Sequence, residues 1–106
     1  MYLTMNRFRV VKDQAAAFEA MWQSRDSHLS SVPGFKQFSL MKGPEADEHI
    51  LYASHTIWSS EAAFRDWTRS EAFRAAHSGT KSSADMYLGP PELELFEAVQ
   101  VLDGPS

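Results

Sequence analysis

The chain has 106 residues, of which 43% are hydrophobic and 12% aromatic, with a net charge of −4 and a pI near 5.5. This length suits one small domain over residues 1–106, and the acidic balance argues against nucleic-acid binding because no basic stripe can release phosphate counterions. Without cysteine, the chain can form no disulfide, thiolate metal site, cysteine nucleophile or thioether link to a cofactor. No apolar run reaches about 18 residues and the N-terminus lacks a signal-peptide layout, so we expect a cytoplasmic protein without a membrane partner.

The first two predicted elements are a strand and a helix. Residues 2–11 alternate as a strand, with one face formed by Tyr2, Thr4, Asn6, Phe8 and Val10 and the other by Leu3, Met5, Arg7 and Arg9. Asn6 lies among inward-facing residues, so its amide either bonds a neighbouring backbone or faces a ligand. Residues 12–30 are predicted as an amphipathic helix from apolar positions at steps of three and four.

A turn and two strands follow. Pro33-Gly34 is typical of a turn, and residues 35–41 are predicted as a short strand that ends at Lys42-Gly43-Pro44. Residues 49–58 form the next strand, and the short acidic connection before it predicts a hairpin. Its alternation places Ile50, Tyr52, Ser54, Thr56 and Trp58 on one face.

The segment 59–77 is predicted as helical, with Ser59 as the helix cap. It carries Phe64, Trp67 and Phe73 and ends at His77, while Ser70-Glu71 predicts a second cap and two short helical pieces. On a straight helix Trp67 and His77 would lie about 15 Å apart along the axis and about 80° apart around it. They can share one pocket only if the helix breaks near Ser70 or the ligand is large and flat.

Residues 93–102 are predicted as the last strand, which gives the order βαββαβ. Right-handed crossovers turn this order into an α+β, ferredoxin-like fold, a four-stranded antiparallel sheet with both helices on one face. The other face, with Leu3 and Met5, needs a cover that a second copy can supply. We therefore expect a homodimer, a dimeric α/β barrel, in which Arg7 and Arg9 pair or reach solvent.

The chain has no phosphate-binding loop, no HExxH motif and no serine nucleophile elbow, and its four histidines are too scattered for a zinc pattern. What remains is a possible pocket between sheet and helices, lined by Asn6, Phe8, Phe64, Trp67, Phe73 and His77. From the residues alone, a tryptophan such as Trp67 is more often a core residue than a ligand wall, and a histidine at a helix end such as His77 is more often a surface cation.

The same residues carry a family resemblance. Asn6 in the first strand, Val32-Pro33-Gly34-Phe35 after the first helix, and the spacing of Trp58, Phe64, Trp67, Ser70, Phe73 and His77 resemble the antibiotic-biosynthesis-monooxygenase superfamily. Within it, the chain is similar to the IsdG-type haem-degrading monooxygenases over nearly its whole length. The combination of Asn6, Trp67 and His77 is the discriminating part.

The resemblance implies that haem is both cofactor and substrate. His77 would be the axial ligand of the haem iron, Trp67 would distort the macrocycle, and Asn6 would donate a hydrogen bond on the distal side. Phe8, Phe64 and Phe73 would complete the haem pocket. The implied reaction uses dioxygen and an unidentified electron donor or reductase to open the ring, which releases iron and a linear tetrapyrrole.

Two alternatives stay open at this stage. In the first, the chain is a cofactor-free monooxygenase that acts on a phenolic or polyketide-like aromatic, and His77 and Asn6 are incidental. In the second, it is a haem carrier or a structural dimer without enzymatic activity. Haem titration followed by a reductant in air distinguishes these two alternatives from the haem-degrading enzyme.

Overall fold

The computed structural model describes residues 1–24, 29–70 and 86–105 of the chain. The elements are strand β1 (Tyr2–Val11), helix α1 (Ala15–Ser24), strands β2 (Phe35–Glu45) and β3 (His49–Trp58), helix α2 (Glu61–Thr68) and strand β4 (Glu92–Glu97). All neighbouring strands are antiparallel, in the order β2-β3-β1-β4. This arrangement confirms the predicted α+β, ferredoxin-like fold.

Both helices cover the same face of the sheet. Every second residue of β3, beginning with Ile50, is buried, and the residues between them are half-buried. Phe18 of α1 packs on Tyr52 of β3 with ring centroids 4.8 Å apart, and Phe64 of α2 packs on Trp58 at 5.8 Å. Since Tyr52 and Trp58 share one face of β3, the two helices lie side by side over it.

The bounds of β1 and β3 agree with the sequence prediction, whereas other bounds differ. The region 12–30 is not one helix: a short 3₁₀ segment, Lys12–Gln14, precedes α1, and a second, Leu29–Ser31, follows residues 25–28, which lie outside the described part. The prediction that β2 ends at Met41 is wrong, because β2 runs through Gly43-Pro44 with a register shift between Lys42 and Glu45. As an edge strand, β2 tolerates a proline that would break a central one.

The last strand ends at Glu97 rather than at the predicted Leu102, and Val99 and Leu102 are exposed. The Ala98 N–H still donates to the Met1 carbonyl at 2.9 Å. The register of β4 with β1 runs from Arg7 opposite Glu92 to Tyr2 opposite Glu97, so the pairing ends beside the first residue of β1.

Helix α2 begins one residue later than predicted. Its N-cap is Ser60, not Ser59, and the Ser60 hydroxyl accepts a hydrogen bond from the Ala63 N–H at 3.2 Å. The helix ends at Thr68, and the Ser70 hydroxyl donates to the Trp67 carbonyl at 2.6 Å. The first helical piece thus stops just before Ser70, as predicted, while the second piece lies outside the described residues.

The Pro33-Gly34 turn packs directly on α2. Gly34 has φ +83°, a conformation that favours glycine, and a Cβ there would lie 2.4 Å from the Ala63 Cβ. The Gly34 carbonyl also accepts a hydrogen bond from the Ser59 N–H at 2.8 Å. A residue without a side chain is therefore required for the helix to sit at this distance from the turn.

The helix-free face carries an apolar row across three strands. Leu3 lies opposite Ile57 on one side and Phe96 on the other, and Phe96 is 46% exposed. Arg7 forms an ion pair with Glu94 and Arg9 is exposed, so both arginines behave as expected from the sequence. Within residues 1–24, 29–70 and 86–105, no helix is long and apolar enough to cross a membrane.

Candidate active site

The helix-covered face holds a short polar row between two aromatic clusters. One cluster surrounds α1 and includes Phe8 and Tyr52; the other surrounds α2 and includes Tyr2 and Trp58. Between them, the same face of β1 and β3 carries four smaller residues, here called the polar row: Thr4, Asn6, Ser54 and Thr56. The register places them in two facing pairs, since Thr4 lies opposite Thr56 and Asn6 lies opposite Ser54.

Three members of the polar row are buried, namely Thr4, Ser54 and Thr56, and Asn6 is half-buried. Thr4 has a clear structural role, because its hydroxyl accepts a hydrogen bond from the Trp58 indole N–H at 3.1 Å. In the part of the chain that the structure describes, no side-chain hydrogen bond reaches Asn6, Ser54 or Thr56. Amide and hydroxyl groups without a protein partner can still bond a ligand or water, so these side chains are suited to either.

The polar row is open on the side of Asn6 that faces β4. On the other side of Asn6, across the β1–β4 pair, lies Leu93, whose side chain is on the helix-covered face yet is 55% exposed. The next residue of β4 on that face, Leu95, packs into the α2 cluster instead. Among the described residues, the Asn6 amide therefore lies beside an exposed position of this face, where a ligand can approach it.

Helix α2 supplies an aromatic wall beside the row. Phe64 and Trp67 are three residues apart and therefore point to the same side of the helix. The Trp67 ring lies 5.3 Å from the Trp58 ring and 6.4 Å from the Phe64 ring, measured between centroids. Phe64 is buried, whereas Trp67 is half-buried and lines a cavity of about 260 Å³ together with Val32 and Pro33.

The predicted site residues fall into three groups. Phe64 and Trp67 lie together in the α2 cluster, and Asn6 lies in the polar row. Phe8 lies in the other cluster, where it contacts Phe18 and Trp22, and so is separated from Trp67 by the row. Phe73 and His77 lie outside the described residues.

Sequence reasoning missed Ser54 and Thr56 as candidate site residues. Their alternation on β3 was visible, since they share a face with Tyr52 and Trp58, but a serine or threonine in a strand has many ordinary uses. What singles them out is the register, which brings Ser54 opposite Asn6. The pattern that could have revealed them is a pair of small polar residues at consecutive inward positions, between the inward aromatic residues Tyr52 and Trp58.

A titratable group with a raised pKa lies beside the row. Tyr52, the next inward residue of β3, donates its hydroxyl to Glu19, and Lys42 approaches the same carboxylate at 3.8 Å. Burial, the hydrogen bond to Glu19 and its negative charge raise the pKa of Tyr52 to about 12. The phenol is therefore a neutral donor at physiological pH. It lines a cavity of about 310 Å³ beside α1, together with Trp22 and Phe38.

The residues present suit a large, flat, mostly apolar ligand with one polar centre. The aromatic wall offers ring surface, and the polar row offers an amide and two hydroxyls with unused hydrogen-bonding capacity. In the described ranges, no three His, Asp or Glu side chains come together as a metal-binding group. A bare metal ion therefore has no candidate site there, whereas a macrocycle that carries its own metal needs only an axial ligand from the protein.

The chain is similar to a known protein family and to characterised relatives. The model of the family described as antibiotic biosynthesis monooxygenase matches residues 1–79. A haem oxygenase (staphylobilin-producing) from Staphylococcus saprophyticus is 32% identical over 93 residues, which are 84% of this chain and 88% of the relative. A haem-degrading monooxygenase from Shouchella clausii is 43% identical over 56 residues, and that match spans 53% of this chain but only 49% of the relative.

Among solved structures, the haem degrader MhuD from Mycobacterium tuberculosis, with two haems bound in its active site, is similar to this chain. The two share 25% sequence identity with a TM-score of 0.75, over 97% of this chain and all of the other. The likeness therefore extends from the first strand to the last.

Proposed function

Because the chain belongs to the antibiotic biosynthesis monooxygenase family, we propose that it is a haem-degrading monooxygenase of the IsdG type. The observation that carries the proposal is the joint presence of Asn6 in an open polar row and Trp67 in the adjoining aromatic wall. The similarity to a haem oxygenase over 84% of the chain supports it. Haem is both cofactor and substrate in this reaction: with dioxygen and reducing equivalents its ring opens, which releases iron and a linear tetrapyrrole.

The described residues provide two parts of such a site. Phe64 and Trp67 would pack against the macrocycle, and the bulk of the half-buried indole would favour its distortion. Asn6, in the polar row, would donate its amide N–H to the small polar molecule that is bound with the haem. Phe8 would support α1 from the core, and Phe73 would complete the apolar lining. His77 would hold the haem iron.

The helix-free face supports a homodimer. The apolar row of Ile57, Leu3 and Phe96 crosses three strands, with Leu3 at its centre. On the same face, beside the row, Arg7 and Glu94 neutralise each other in an ion pair. A second copy that packs sheet to sheet covers this row and closes a barrel. The reaction also needs an electron donor, an unidentified reductant or reductase.

Haemin titration followed by ascorbate in air tests the proposal. Saturable growth of the Soret band, then bleaching with a new visible band of a linear tetrapyrrole, is the expected result. Saturable binding with no bleaching beyond the protein-free control indicates a haem carrier instead. No saturable binding refutes the proposal and directs attention to aromatic substrates and cofactor-free oxygenation.

Two substitutions test the assigned roles. His77→Ala is expected to weaken haem binding at least tenfold, and unchanged affinity would remove His77 as axial ligand.

Asn6→Ala is expected to keep a haem Kd within about twofold of the wild-type value but to bleach haem at least tenfold more slowly. Loss of one hydrogen bond to a charged group costs roughly 1.5–3 kcal/mol. Full activity of Asn6→Ala would exclude it from the mechanism.

A further inference from the structure

The polar row contains a second hydrogen-bonding group beside Asn6. Ser54 lies directly opposite Asn6 in the β1–β3 register, on the same helix-covered face. Directly opposite residues of antiparallel strands have Cβ atoms about 4.5–5.5 Å apart, so an atom that bonds one side chain is within reach of the other. We propose that Ser54 acts together with Asn6 on the small molecule bound beside the haem plane, with its hydroxyl as the second donor.

Burial and pairing favour this role over a purely structural one. Ser54 is 7% exposed, and within the described ranges its hydroxyl has no protein partner. A small apolar residue would fill the same position in the sheet without an unpaired polar group. A hydroxyl kept at this depth is consistent with a partner that arrives only with the ligand.

The neighbouring members of the row are less suited to the same task. Thr4 already accepts a hydrogen bond from the Trp58 indole N–H. Thr56 lies opposite Thr4, two residues farther along β3, which places it roughly 6–7 Å from Ser54 and next to the α2 aromatic cluster. Of the three hydroxyls, that of Ser54 is the one placed to share a ligand atom with the Asn6 amide.

This inference rests on the proposed haem-binding function, and cyanide affinity tests it independently of turnover. Cyanide bound to the ferric haem protein is a small anion that accepts hydrogen bonds from groups beside the haem. Ser54→Ala is expected to raise the cyanide Kd about tenfold, since a hydrogen bond to a charged group contributes at least that factor. Ser54→Thr keeps the hydroxyl and is expected to stay within about threefold of wild type.

The controls separate the possible outcomes. Haem affinity of Ser54→Ala should stay within twofold of wild type, and Ser30→Ala, at an exposed position in the Leu29–Ser31 segment, should change neither affinity. An unchanged cyanide Kd in Ser54→Ala overturns the inference and leaves the proposed function intact. The inference is also overturned if Ser54→Thr raises the cyanide Kd as much as Ser54→Ala does. A loss of haem affinity in Ser54→Ala as large as its loss of cyanide affinity overturns it as well. Failure of the wild type to bind haem overturns the proposed function and this inference with it.

Discussion

At the scale of single residues, the buried tyrosine beside the polar row shows how a side chain can be held in one protonation state. Tyr52 is 1% exposed, its hydroxyl donates to Glu19, and the nearby carboxylate disfavours a second negative charge. These causes raise its pKa to about 12 from the usual value of 10.0. A raised pKa means that folding favours the neutral phenol, so its contribution to stability is complete below pH 10 and is lost as the pH rises towards 12.

Tyr52→Phe should therefore destabilise the protein at neutral pH and do so less in alkali. We expect the free energy of unfolding to fall by about 1 kcal/mol at pH 7, through loss of one hydrogen bond, and the difference from wild type to shrink between pH 10 and pH 12. Urea unfolding of both proteins at matched pH measures the difference, in which alkaline effects common to both cancel. A difference that stays constant up to pH 12 would contradict the assigned pKa.

At the scale of elements, α2 holds Trp67 in place through its first turn. Ser60 caps the helix by accepting the Ala63 N–H, and the Pro33-Gly34 turn packs on the same Ala63. Glu61 in the first turn complements the helix dipole and also pairs with Arg65 four residues later. Because α2 has only eight residues, the cap is a large part of its local stability.

Ser60→Ala should cost about 1 kcal/mol of unfolding free energy, because it leaves one N–H of the first turn without its partner. Ser59→Ala is the matched control, since Ser59 is adjacent and exposed but does not cap the helix, and it should change stability by less than about 0.5 kcal/mol. Urea unfolding at pH 7 compares the two variants. Equal effects would show that the cap is not the stabilising contact.

At the scale of the whole molecule, the two faces of the sheet differ in what covers them. The helices bury one face with aromatic residues, while on the other face the apolar row of Ile57, Leu3 and Phe96 has no helix over it among the described residues. A chain of 106 residues buries a modest share of its surface alone, so the proposed second copy would add to the core.

Ile57→Lys should convert the proposed dimer into a monomer, because it places a charge within the apolar row. Sedimentation velocity at several protein concentrations measures the change. Ala62→Lys, on the exposed surface of α2, is the control and should leave the sedimentation coefficient at the wild-type value. If wild type and Ile57→Lys sediment alike, the helix-free face is not the contact between copies.

Alternation and breaker residues were enough to predict the fold. The bounds of β1 and β3 follow from their period of two, and the βαββαβ order then leaves few topologies. The passage of β2 through Gly43-Pro44 was not predictable, because it depends on β2 being an edge strand. Alternation and helical spacing made Asn6 and Trp67 candidates and the family resemblance gave them roles, whereas Ser54 needed the cross-strand register, which a single strand does not reveal.

The period of two in β3 has a further consequence for how the molecule can change. Ser54 and Thr56 lie on the helix-covered face while His55, between them, lies on the other, so the proposed ligand site and the proposed contact between copies depend on alternate residues of one ten-residue strand. An insertion or deletion of one residue within β3 would move the residues that follow it to the opposite face and is expected to impair both proposed functions at once. We therefore expect β3 to tolerate substitutions on one face better than changes in its length.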